Sequence, residues 1–274
     1  MKIFDTHIHF FADESSYNDL VESLLDYSAK FNVERMAIIG SLTSNYLVER
    51  AIKEHPDKFV GIARLDMDNQ DPSVVEMYHR AGFKALKILL TDKDYDHRDY
   101  FPFYEIAQEK EMVILFHTGI IGGAYDYLLQ DISSLSAEAE KSILERLKGK
   151  SSARMRSIFL DTIANSFPDL KIIGAHLGWP EYALSCGIAR WRRNVFFDIS
   201  GGEVVRRQIL EGGYIAKDVS PNKLLFGTDS AFEKMPREIA GWYDALKSIG
   251  LRESDIEKIF YLNAAEIFGV EKEC

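Results

Sequence analysis

Two histidines stand two residues apart in the segment Asp5-Thr6-His7-Ile8-His9. In an extended chain successive side chains alternate sides, so His7 and His9 project together and Ile8 points away. Two imidazoles on one face can chelate a divalent cation of borderline softness such as Zn²⁺. Such a pair also arises by chance beside a core strand, and the rest of the chain bears on the choice. His117 in VILFHTG, His176 in KIIGAHLGWP and Asp229 in LLFGTDS each end an apolar run, with loop-like sequence following. A lone histidine at a strand end is more often a hydrogen-bonded structural residue than a ligand. Four histidines and an aspartate at equivalent ends fit the rim of a barrel enzyme, where several strands contribute catalytic groups. His55, His79 and His97 lie in helix or loop sequence and read as solvated.

The elements that must hold these residues are eight apolar runs rich in Ile, Val, Leu and Phe. They read as strands near Lys2–His9, Val33–Ser41, Phe59–Leu65, Phe83–Leu89, Met112–Thr118, Lys171–His176, Val195–Ser200 and Leu224–Ser230. Amphipathic stretches such as Tyr17–Lys30 and Pro102–Lys110 lie between them. These crossovers are long enough for parallel pairing and too long for hairpins. Near-continuous apolar character is what parallel strands buried on both faces require. Eight such units in 274 residues predict an α/β fold, a (β/α)8 TIM barrel forming a single domain over residues 1–274. An open doubly wound sheet is the alternative, because periodicity does not report closure. The longest connection follows the fifth strand, an insertion at about residues 119–170. It opens on GIIGGAYDY and holds helical stretches around Ala137–Leu147 and Arg154–Phe167. Its length suggests a mobile cover over the site.

DTHIHF, GFKALKI, VILFHTG, IFLDTIANSFPDLKIIGAHLGWP, NVFFDISG, LLFGTDSAF and YLNAAEIFG are spread nearly from end to end of the chain. In these motifs the chain resembles the amidohydrolase superfamily, in its amidohydrolase-related branch of metal-dependent hydrolases, hydratases and decarboxylases. The resemblance implies one divalent metal, with Zn²⁺ expected and Mn²⁺ or Fe²⁺ as alternatives, held by His7, His9, His117 and Asp229. It makes His176 the acid/base beside the metal's open position, with Asp229 able to carry a proton as well. Lys87 is ambiguous. Strand parity places Ala85, Lys87 and Leu89 on one face, so Lys87 can point inward, uncarbamylated and near the site. It can also reach solvent at the rim, or bridge two metals as a carbamate with His117 and His176 on the second ion. The branch often sets an arginine against a substrate carboxylate just before the helix leading to the sixth strand, and Arg156 fits that position better than Arg154. Trp179 walls the pocket or packs against the neighbouring loop.

A net charge of −10 and a pI near 5.3 argue against bulk nucleic-acid binding. The N-terminus lacks the apolar run and cleavage site of a signal peptide, and no apolar stretch is long enough to span a bilayer. Cys186 and Cys274 suggest no disulfide framework. A cytoplasmic protein with a small-molecule substrate is expected, and a homodimer is compatible with the sequence. Gly149-Lys150-Ser151 lacks the first glycine of a phosphate loop, and Arg190–Arg193 reads as a solvated basic turn. The leading expectation is therefore a hydrolase acting through a metal-activated water on a small carboxylated or amide/ester-bearing molecule. A metal-dependent nonoxidative decarboxylase uses the same ligands and competes closely. A binding protein would break the ligand set, and a metal-free lactonase would lack the ion.

Overall fold

The structure, a computed structural model, describes residues 1–122, 136–138, 141, 145 and 147–270. The apolar runs form β1 (Ile3–His9), β2 (Val33–Ile39), β3 (Phe59–Arg64), β4 (Ala85–Ile88), β5 (Val113–Phe116), β6 (Lys171–Gly174), β7 (Val195–Asp198) and β8 (Leu224–Leu225). They pair in parallel, each with its neighbour in sequence. The run containing β8 returns to β1. Thr6 N–H donates to the Phe226 carbonyl at 3.0 Å, and Asp229 N–H donates to the His7 carbonyl at 2.8 Å. The eight strands thus form a (β/α)8 barrel and not an open sheet.

Burial is layered as the alternation of side chains demands. Phe4, Ile39, Ile62, Ala85, Leu115 and Ile173 belong to the cluster inside the barrel, whereas Ile8, Ile38, Leu86 and Ile114 pack outward under the helices. The inner cluster continues onto Tyr261, Ile267 and Phe268 near the C-terminus, with the Phe4 and Phe268 rings 5.4 Å apart. Apolar side chains therefore fill the end where the strands begin. The polar groups gather at the other end.

Most departures from the expected elements occur where strands end. β6 stops at Gly174, and the next turn carries His176 and Leu177 at φ 58° and 45°. β8 is only two residues long, and Asp229 beyond it has φ 42°. β4 stops at Ile88, so Leu89 leaves the face of Ala85 and Lys87 and packs with the outer layer. The helix expected over Arg154–Phe167 is broken: Ser152–Met155 is a 3-10 turn, Arg156 is extended, and the α-helix is Ile158–Ser166. The stretch Ala137–Leu147 falls largely outside the described residues. Among the described residues no helix is long and apolar enough to cross a membrane.

Candidate metal centre

β1 brings the first two histidines to the rim, but through an irregularity. Phe4 and His7 both face inward although they are three apart, because the pairing with β2 shifts register between Asp5 and Ile8. Past the shift, alternation resumes and His7 and His9 share a face. Asp5 lies behind it, buried, where Thr228 donates to its carboxylate from both backbone N–H and hydroxyl at 2.9 and 2.8 Å. Burial pushes the Asp5 carboxyl up to about 7 against these hydrogen bonds. The chain after β8 passes close to β1 at Gly227, where a Cβ would lie 2.8 Å from His7 Cβ. That close approach delivers Asp229 to the two imidazoles.

Asp229 is the hub of the cluster. One carboxylate oxygen lies 3.2 Å from His9 Nε2 and 3.6 Å from His7 Nε2, and the other lies 3.6 Å from His176 Nε2. His7, His9 and Asp229 each offer a ligand atom, all within 4.8 Å of one another. His117 approaches through His176, with ring centroids 5.0 Å apart, and its buried Nε2 has no hydrogen-bond partner among the described residues. A buried nitrogen without a partner costs free energy unless something else satisfies it. A cation does so directly.

Protonation states suit a cation. Burial, reinforced by the Lys87 charge, lowers His7 to about 4. Burial also holds His117 well below its ordinary value, with His176 and Lys87 adding to the effect. Desolvation would raise Asp229, but His7, His9 and His176 together keep its carboxyl well below the usual range. Neutral imidazoles and an ionised carboxylate are the forms that bind metal.

His7, His176 and Asp198 form a second close set of donors, and it does different work. Asp198, fully buried at the end of β7, accepts from His7 Nδ1 at 2.9 Å through Oδ2. Its Oδ1 accepts the backbone N–H groups of His176 and Ser200 at 2.9 and 3.0 Å, together with the Ser200 hydroxyl. With four donors in place it has little capacity for an ion. Burial opposes its charge, yet the His7 and His176 imidazoles and these hydrogen bonds keep it below the ordinary carboxylate range. The sequence reading passes over Asp198 and Ser200. The signal available was an aspartate at the end of β7 in FFDISG, at a depth equivalent to the other rim residues.

Lys87 is buried and does not reach solvent. Its Nζ lies 3.2 Å from His7 Nε2, and burial lowers the amine to about 8. Arg156 and Trp179 are engaged elsewhere. Arg156 is exposed and forms a two-pronged pair with Glu181, at 2.9 and 2.6 Å. Trp179 donates from its indole to Gln208 at 2.9 Å and packs against the outer layer. Its carbonyl accepts from Ile120 N–H at 3.0 Å, while Gly119 N–H donates to Met155 at 2.9 Å. The start of the expected cover is thus tied to the loops after β5 and β6. Much of its remainder lies outside the described residues.

Solved structures share this barrel. A 5-carboxyvanillate decarboxylase from Sphingomonas paucimobilis superposes with a TM-score of 0.66 at 14% identity, covering 98% of this chain and 99% of that one. A 4-oxalomesaconate hydratase from Rhodopseudomonas palustris gives 0.65 at 16% identity, covering 97% and 95%. An uncharacterized TIM-barrel protein from Bordetella bronchiseptica gives 0.66 at 15%, covering 98% and 99%. At such identities the likeness speaks for the fold. No curated protein sequence matches the chain. The profile of one family, described as amidohydrolase, matches residues 4–270, from the strand that carries His7 to just past Phe268, which packs on Phe4. By that match the chain belongs to the amidohydrolase family.

Proposed function

We propose that the chain is a metal-dependent hydrolase of a small carboxylated or amide/ester-bearing molecule. The observation that carries the reading is the convergence of His7, His9 and Asp229; His117, whose ring lies 5.0 Å from that of His176, adds a buried Nε2 without a partner among the described residues. These four residues would hold one divalent cation, Zn²⁺ in the first instance, with Mn²⁺ or Fe²⁺ as alternatives. When bound, the ion supplies Lewis acidity and lowers the pKa of water. The chain's own residues do the rest. His176 Nε2 faces Asp229 and takes or gives the proton at that position. The Lys87 amine, buried against His7, donates to a substrate oxygen. Asp229 balances the charge and is a second proton carrier. Arg156 reaches a substrate only by leaving Glu181.

Nonoxidative decarboxylation is the second reading, and the position of Lys87 favours it. An amine beside the ligands gives a substrate carboxylate a donor. His176 would then deliver a proton to carbon before CO2 leaves. The 5-carboxyvanillate decarboxylase of the same fold makes this a natural comparison.

The test is elemental analysis of protein purified without chelator, followed by incubation with ester, amide and aromatic carboxylic acid panels. About one equivalent of divalent metal and product release without CO2 are expected for the hydrolase. CO2 evolution selects the second reading. Protein that holds no divalent metal and gains no turnover with Zn²⁺, Mn²⁺ or Fe²⁺ overturns both.

A further inference from the structure

The hydrogen-bond network behind the cluster can be solved for its hydrogens. Oδ1 of Asp198 accepts two backbone N–H groups, from His176 at 2.9 Å and Ser200 at 3.0 Å. Amide nitrogens only donate, so this oxygen is an acceptor whatever the charge on the rest of the carboxyl. The Ser200 hydroxyl touching it must spend its single hydrogen there. Ser200 Oγ then has only lone pairs left. They face His176 Nδ1 at 2.9 Å and, at a longer 3.3 Å, His7 Nδ1. His7 Nδ1–H already has Asp198 Oδ2 as its nearer acceptor, at 2.9 Å. The opening at Ser200 therefore belongs to His176, and only an N–H can fill it.

From this we infer that Ser200 is a positioning residue that locks His176 in the Nδ1–H tautomer and links it to Asp198, leaving Nε2 as the proton-accepting atom. Nε2 is the atom 3.6 Å from Asp229 Oδ2, so the lock aims the lone pair at the site. The chain is shaped to keep the contact. Gly201 has φ +104°, and a Cβ there would lie 3.2 Å from His176 Nδ1 and 2.9 Å from Val205 Cγ2. One stretch, Asp198-Ile199-Ser200-Gly201, thus carries an anchor, a link and the room for the ring.

The proposal rests on the reading of His176 as acid and base, but its test needs no turnover. Protein carrying ¹⁵N-histidine is observed by NMR at pH 8, zinc-loaded and again metal-free. The His176 signals are assigned by their loss in His176→Asn. The wild type is expected to show a protonated Nδ1 and an unprotonated Nε2. In Ser200→Ala the second tautomer should appear, with the preference falling by roughly tenfold, the worth of one hydrogen bond. Ser200→Thr, which keeps the hydroxyl, should restore the wild-type pattern. A metal-free wild-type spectrum with the proton on Nε2 overturns the proposal, and so does a Ser200→Ala spectrum identical to it. If Ser200→Ala does not fold, the wild-type spectrum alone decides. Full turnover in His176→Asn would sink the acid–base reading and leave the tautomer result standing.

Discussion

His7 Nδ1 donates to Asp198 Oδ2 at 2.9 Å, and both side chains are buried. Nδ1 is thereby committed, and Nε2 is left to face Asp229 and Lys87. A histidine whose far nitrogen is held by a carboxylate is fixed in tautomer and orientation and is the more basic ligand for it. Asp198→Asn breaks this arrangement. An amide presents an NH2 group either to His7 Nδ1–H or to the two backbone N–H groups that Oδ1 now accepts, and each placement sets donor against donor. Affinity for Zn²⁺ should fall about 10–100-fold, read by competition with a chromogenic chelator. Unchanged affinity would remove Asp198 from this role.

His117 and His176 lie side by side yet should fail differently. The buried Nε2 of His117 has no partner among the described residues, whereas His176 is held through its Nδ1 by Ser200. His117→Asn should lose the metal. His176→Asn should keep most of it while losing turnover by about 10²–10⁴-fold. Metal content and rate measured on both variants check this. Equal loss of metal would make His176 a ligand and end the one-metal scheme.

Lys87 predicts a pH dependence. In the unfolded chain the amine titrates near 10.5, and burial lowers it to about 8 in the folded metal-free protein. The unfolded state therefore binds the proton first as pH falls. The resulting penalty on folding begins near pH 10.5 and is complete below about 8. Lys87→Met removes it. At 1.36 kcal/mol per pH unit the variant should gain up to roughly 3 kcal/mol at pH 7 over the wild type, before the loss of the His7 contact. The gap should close above pH 10.5. Denaturant melts at pH 7 and 10.5 on metal-free protein measure both ends, and a gap independent of pH would contradict the buried-amine account.

Gly227→Ala tests the close approach of the β8 run to β1. The added methyl would stand 2.8 Å from His7 Cβ and 3.3 Å from His7 N. Neither neighbour is the end of a flexible side chain, so the backbone must give. A loss of about 1–3 kcal/mol is expected by chemical denaturation, with reduced metal content because His7 and Asp229 separate. Wild-type stability and full metal loading would show that the two segments have slack.

Much of this molecule was legible along the chain because alternation is local. Apolar runs with polar residues at their ends mark strands and a rim, and the two-residue spacing of His7 and His9 survives into the structure. Lys87 also follows its parity, inward with Ala85. What the chain alone left open lies where the strands stop. Past β6 and β8 the backbone enters left-handed conformations at His176 and Asp229, so strand parity no longer says where their side chains point. Arg156 was read from the resemblance and Trp179 from its nearness to His176; the loops pair them with Glu181 and Gln208, contacts that no local pattern announces. Asp198 meets His7 across 191 residues of chain, and Ser200 meets His176 across 24. Periodicity sets which way a residue faces within its own strand. Which hydrogen-bond partner it finds there is set by closure of the barrel, which brings the ends of β1, β6, β7 and β8 to one buried place where every donor needs an acceptor.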